Sequence, residues 1–197
     1  MKKYYKDYTP DSKVLKNGKV KRDVVYHGDY YCYGDSLESF KWLTKTLVGQ
    51  TLLFSILFIA LGFLNSPGSR SFTVLIPYFC SFLPAAYMWT ALAGMYMLLR
   101  NSAAGKKKDT IEKMEFARYH RTYCRIKKCA AGMMITMLIA AIGSLILIIM
   151  HFNMEGLMRE IAFFIGALVM SADAYTIMIA IKKTAWHRIK TNIDTSK

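Results

Sequence analysis

The chain has 197 residues, 54% of them hydrophobic and 20% charged, with 27 Lys and Arg against 13 Asp and Glu for a formal net charge of +14. Long uncharged runs alternate with basic blocks, which excludes a disordered chain or a collagen-like repeat and argues against a soluble globule, where the two populations interleave. A nucleic-acid-binding domain this basic is ordinarily less hydrophobic.

Residues 1–35 are rich in Lys, Tyr, Gly and Asp. Asn17-Gly18, between Val14-Leu15 and Val20, has the chemistry of a two-residue hairpin turn. His27-Gly28-Asp29 then separates Val24-Val25-Tyr26 from Tyr30-Tyr31-Cys32-Tyr33, two runs that favour extended structure. The expectation is a small antiparallel β ribbon at the N-terminus, too short for a core of its own. Asp35 with Glu38 three residues later reads as a capping box that starts a helix running through Trp42.

Crossing about 30 Å of hydrocarbon at about 1.5 Å of rise per residue takes about 20 mainly apolar residues. Four segments meet that requirement, at about 46–64, 72–99, 129–150 and 161–181, and Asp173 is the only charged residue inside them. No cleavable leader is expected before the first span, which reads as a retained anchor. The second span carries Pro77 and Pro84, each lacking a backbone donor. Pro84 is the candidate hinge.

Between the second and third spans, residues 100–128 form a basic loop with Lys106-Lys107-Lys108, and Asp109 with Glu112 repeats the capping signal. From there the third span is expected to extend outward as a helix of about five turns. Phe116, Tyr119, Tyr123 and Ile126 fall on one side of it, and Arg118, Arg121, Arg125 and Lys128 on the opposite side. Anionic lipid headgroups or a protein partner are the expected contacts for these residues. Residues 182–197 form a basic tail.

Of the 27 bases, 25 lie in residues 1–45, 100–128 and 182–197, leaving Arg70 and Arg159 in the two short connections. That bias places both termini and the central loop in the cytoplasm, and the plan matches a bacterial cytoplasmic membrane protein. Much of the charge is therefore an orientation signal, and no nucleic-acid partner is expected.

Asp173 lies nine residues from Lys182, and Ser55, Thr90 and Thr136 lie at similar depths in the other spans. Together they form a candidate intramembrane polar layer, with helix-to-helix bonding as its structural counterpart. The small-residue pairs Ala140/Ser144, Ala162/Gly166 and Ala167/Ser171 mark close helix approaches. No H-E-x-x-H, G-x-S-x-G, phosphate-cradling glycine loop, zinc-type cysteine pairing or carboxylate pair within a span is found, so neither enzyme activity nor a metal or cofactor is expected.

The resulting expectation is an all-α membrane protein: a bundle of four transmembrane helices with a small N-terminal β ribbon and a cytoplasmic helical extension of the third span. Its expected role is a non-catalytic scaffold or accessory subunit in the lipid bilayer, with a membrane-protein partner or a second copy as possible neighbours. The alternative is a small transporter or channel subunit built around Asp173.

Overall fold

A computed structural model describes residues 8–14, 20–34, 36–104, 114–150, 155–184 and 186–189. Strands β1 (Tyr8–Val14), β2 (Val20–Tyr26) and β3 (Tyr30–Tyr33) precede helix α1 (Leu37–Phe63). A 3-10 turn (Pro67–Arg70) leads into α2 (Phe72–Ala104), followed by β4 (Met114–Glu115), the single helical turn α3 (Phe116–Tyr119) and a π-helical turn (His120–Cys124). Helices α4 (Arg125–Met150) and α5 (Leu157–Lys182) and strand β5 (Trp186–Ile189) complete the order.

The protein is mostly helical, and α1, α2, the run Phe116–Met150 and α5 are each long and apolar enough to cross a membrane. Helix α4 is central, packing extensively on both α2 and α5, while α1 lies across α2 and α5 more lightly. Phe40, Leu47, Phe54, Met88, Leu92, Met133, Met137, Met170 and Ile177 fill the interior. Ile56, Phe82, Ile139, Ile146 and Ile165 are more than half exposed or nearly so, so the outer faces are as apolar as the inside. Small residues let α4 and α5 approach: Ala140, Ser144, Ala167 and Ser171 are all buried, and Ser171 Oγ donates to the Met134 carbonyl across the interface at 3.2 Å.

Helix α2 stays continuous through Pro77 and Pro84. Pro77 cannot donate to the Thr73 carbonyl four residues back. That carbonyl instead faces the Cα of Gly143 in α4, so closely that an added Cβ would sit 3.0 Å from it. At Pro84 it is the ring itself that packs against α4, at Gly132, where an added Cβ would lie 3.3 Å from the proline Cβ.

Strands β1 and β2 pair antiparallel from Tyr8↔Tyr26 to Val14↔Val20, so the hairpin lies where the Asn17-Gly18 signal puts it, but the register is one residue off that of a two-residue turn there. Residues 15–19 themselves lie outside the described residues. The ribbon does not continue into β3. The His27-Gly28-Asp29 turn wraps the Tyr26 ring, whose hydroxyl donates to the Asp29 carbonyl at 3.0 Å, and redirects the chain. Strand β3 becomes the centre of a separate three-stranded sheet, antiparallel to β4 on one edge and to β5 on the other. Distant segments win over the local turn because they bring β3 aromatic partners: Tyr31 stacks on Tyr119, centroids 4.3 Å apart, and Tyr33 meets Trp186 edge-on at 5.5 Å.

Two helix starts differ from the sequence expectation. The N-cap of α1 is Ser36, whose hydroxyl accepts from the Ser39 N–H at 3.2 Å, one residue beyond Asp35. Asp35, like the Asp109/Glu112 pair, lies outside the described residues. The extension of the third span begins at Phe116 because Met114 and Glu115 pair with Tyr31 and Tyr30 as strand β4. It is therefore shorter than five turns.

Candidate functional site

At the end of the bundle that carries the sheet, the aromatic face of the extension turns inward. Tyr119 lies between Tyr31 and Tyr123, with centroids 4.3 and 5.3 Å away, and Trp186 closes on both from β5. The Tyr123 hydroxyl donates to the Ile181 carbonyl at 2.5 Å and accepts from Thr184 Oγ1 at 2.9 Å. Phe116 sits by Tyr31, and its N–H donates to the Tyr26 hydroxyl. Tyr119 and Tyr123 thus join sheet, α5 and extension within the chain. On the sheet's outer side Arg188 pairs with Asp29, Nε to Oδ2 at 2.7 Å, and that bond and charge hold the guanidinium above its ordinary pKa.

The basic face looks the other way. Arg118, Arg121 and Arg125, with Thr90, Gly94 and Thr122, line a cleft of about 460 Å³ between α2 and the extension. The π-helical turn shapes this cleft. Its wider turn inserts a phase shift into the helix, and Thr122 is buried against Gly94, where an added Cβ would lie 3.0 Å from Thr122 Oγ1. Arg125 stands 5.6 Å over the Tyr87 ring of α2, a cation–π distance. Glu115 also lines the cleft, so its charged side chains sum to +2. Lys128 is exposed and does not line it.

Comparison with family models, with curated proteins and with solved structures finds no match to this chain. The chemistry of the site is therefore read from its geometry alone.

The four members of the expected polar layer face different neighbours. Ser55 donates to the Thr51 carbonyl at 2.8 Å and accepts from the Trp89 indole of α2 at 3.2 Å. Thr136 donates to carbonyls of its own helix, and Thr90, which donates to the Tyr87 carbonyl, lines the arginine cleft. Asp173 lies on α5 with no hydrogen bond to any of the three, and its Oδ2 is buried without a partner. Equal depth does not bring side chains together; their angles around each helix decide that.

Two polar nodes escape the sequence reading. Gln50 of α1 donates through Nε2 to Thr176 Oγ1 of α5 at 2.8 Å. At the opposite end, Glu160 is fully buried in the first turn of α5; its carboxylate accepts from the Gly68 N–H of the 3-10 turn at 2.6 Å and from the Ser144 hydroxyl of α4. The Arg159-Glu160 pair reads from sequence as a cancelled charge in a connection, because α5 starts four residues earlier than the apolar run. The signal that could have found Glu160 is its position in a helical first turn, where an acid is favoured.

Proposed function

We propose that this chain is a non-catalytic, multi-pass protein of a bacterial cytoplasmic membrane, with both termini and the sheet in the cytoplasm, and that its arginine cleft holds the phosphate headgroup of an anionic lipid. The observation that carries the reading is the convergence of Arg118, Arg121 and Arg125 on one cleft with Thr90. Guanidinium groups suit phosphate because their planar donors match its oxygens. The apolar outer faces of the four helices support the bilayer setting, and the excess of bases at the sheet end supports the orientation. The aromatic partners that a docking protein would otherwise use are spent on Tyr31 and Trp186. This favours lipid over protein as the occupant.

A hydrogen bond to a charged group contributes about 1.5 kcal/mol or more, or roughly tenfold in affinity. Purified protein in nanodiscs, titrated with phosphatidylglycerol in a phosphatidylcholine background, is expected to bind the anionic lipid about 100-fold more weakly after Arg121→Gln with Arg125→Gln. Lys127→Gln with Lys128→Gln, which removes equal charge outside the cleft, is expected to change binding far less. Equal losses from the two pairs refute a cleft and leave only diffuse attraction.

A second reading, a small transporter or channel subunit, is favoured by the unpartnered Asp173 Oδ2. Proton or cation flux into proteoliposomes, abolished by Asp173→Asn, is its test; no flux above empty liposomes refutes it.

A further inference from the structure

Two oxygens on adjacent helices lack partners. Gln50 reaches from α1 to α5 through Nε2, but its Oε1 is shut off from solvent with no hydrogen bond. Asp173 Oδ2 on α5 is in the same condition. Thr176, one turn beyond Asp173, uses its hydroxyl hydrogen on the Asp173 carbonyl at 2.7 Å, so none is left for either oxygen.

Helical geometry brings these oxygens to one interface. Gly166 precedes Asp173 by seven residues, close to two full turns, so the two share a face of α5. Leu61 of α1 lies against Gly166, and Gln50 of α1 against Thr176. These two contacts bracket Asp173 on the face of α5 that meets α1.

Two bare acceptors repel, and each left alone forfeits the hydrogen bonds it had in water. We infer that Asp173 and Gln50 form a proton-binding site between α1 and α5, the neutral Asp173 carboxyl donating from Oδ2 to Gln50 Oε1. One proton completes both groups and removes the charge from mid-span, where an aspartate is costly. The other ionisable groups on α1, α4 and α5 lie toward the helix ends or are otherwise placed: Glu38, Lys41 and Lys45 at the start of α1, Arg125, Lys127, Lys128 and buried Cys129 at the start of α4, Arg159 and Glu160 at the start of α5, the latter engaged with Gly68 and Ser144, Lys182 and Lys183 at its end, and exposed Tyr175. A cleft of about 430 Å³, lined by Tyr33, Ser39, Trp42, Gln50, Thr176 and Lys183 among others, runs from the sheet end to the Gln50–Thr176 bond, one turn of α5 short of Asp173. The site stands independently of the headgroup cleft on the far side of the sheet end.

Infrared spectroscopy of the full chain in nanodiscs at neutral pH reads the proton directly. The wild type is expected to show a protonated-carboxyl C=O band that Asp173→Asn removes, since the Asn amide can still donate to Gln50. If that variant fails to assemble, carbon-13 aspartate labelling of the wild type identifies the band by its isotope shift and separates it from any glutamate. Gln50→Leu is expected to move the band to higher frequency, because the carboxyl loses its acceptor. Absence of an aspartic-acid band overturns the site: the Gln50 amide is then turned over, giving Nε2 to an ionised Asp173 and taking the Thr176 hydrogen on Oε1. A band that Gln50→Leu leaves in place overturns the pairing.

Discussion

Glu160 ties three elements together, so its removal has a cost that follows from its bonds. In Glu160→Ala, the Gly68 N–H loses an acceptor 2.6 Å away in a buried position, worth roughly 1–3 kcal/mol. Loss of the buried side-chain carbons adds about 1–2 kcal/mol. The Ser144 hydroxyl suffers less, because the Glu160 backbone carbonyl remains as an acceptor at 3.4 Å. The sum is about 3 kcal/mol, equivalent to roughly 6–12 °C in Tm on the scale of soluble chains of this length. Glu160→Gln keeps the shape and one acceptor oxygen, and is expected to lose about 1 kcal/mol. Thermal unfolding in a single detergent, with a double-mutant cycle against Ser144→Ala, is the assay, and a coupling of about 1 kcal/mol is expected for the Ser144–Glu160 contact. If Glu160→Ala proves as stable as the wild type, or Glu160→Gln proves worse than Glu160→Ala, the bonding account is wrong and the buried carboxylate is a burden that the fold tolerates.

Trp186→Ala removes the ring that touches Tyr33, Phe40, Tyr119 and Tyr123; it is expected to cost about 3 kcal/mol and to speed amide exchange at residues 30–33 and 186–189, while α4 and α5 keep their protection. Asp29→Ala breaks the ion pair to Arg188, which is more than half exposed; no resolvable change in Tm is expected, and a clear drop in thermal unfolding would show that the pair does more than sit on the surface. In a chain with its native cysteines replaced, a cysteine at Arg70 is expected to react with a membrane-impermeant maleimide from outside intact cells and one at Lys183 only after lysis; the reverse pattern inverts the proposed orientation.

The four long helices were legible because a bilayer-length apolar run is a local property of the chain, and Thr46 to Leu64 announces itself without its neighbours. The start of α1 was also legible, to within one residue, from the capping signal at Asp35 and Glu38. The start of α5 was not, because it lies four residues before the apolar run, where the buried Glu160 rather than hydropathy fits the first turn. The β1–β2 pairing was visible in one turn signal. The partners of β3 were not, since the segments that cover Tyr30–Tyr33 lie more than 80 and more than 150 residues away in sequence. Arg118, Arg121 and Arg125 could be placed on one face from their spacing, but the π-helical turn His120–Cys124 that shapes their cleft leaves no mark in composition, and Lys128, one turn beyond Arg125, lies outside that cleft. Asp173 stood out as an acid in an apolar run, whereas Gln50, which bonds to Thr176 one turn beyond it, is uncharged and common enough to pass unnoticed.

The central place of β3 has a consequence for how the chain is made. Tyr30–Tyr33 leaves the ribosome before any of the four long helices, yet its first edge partner, Met114–Glu115, follows only after α1 and α2, and its second, Trp186–Ile189, only after α4 and α5. Throughout synthesis the strand waits with open edges, and contacts this far apart in sequence form slowly. The last few residues of the described chain therefore act as a latch. A chain released before residue 186 could insert every helix and still lack the closure that binds its beginning to its end.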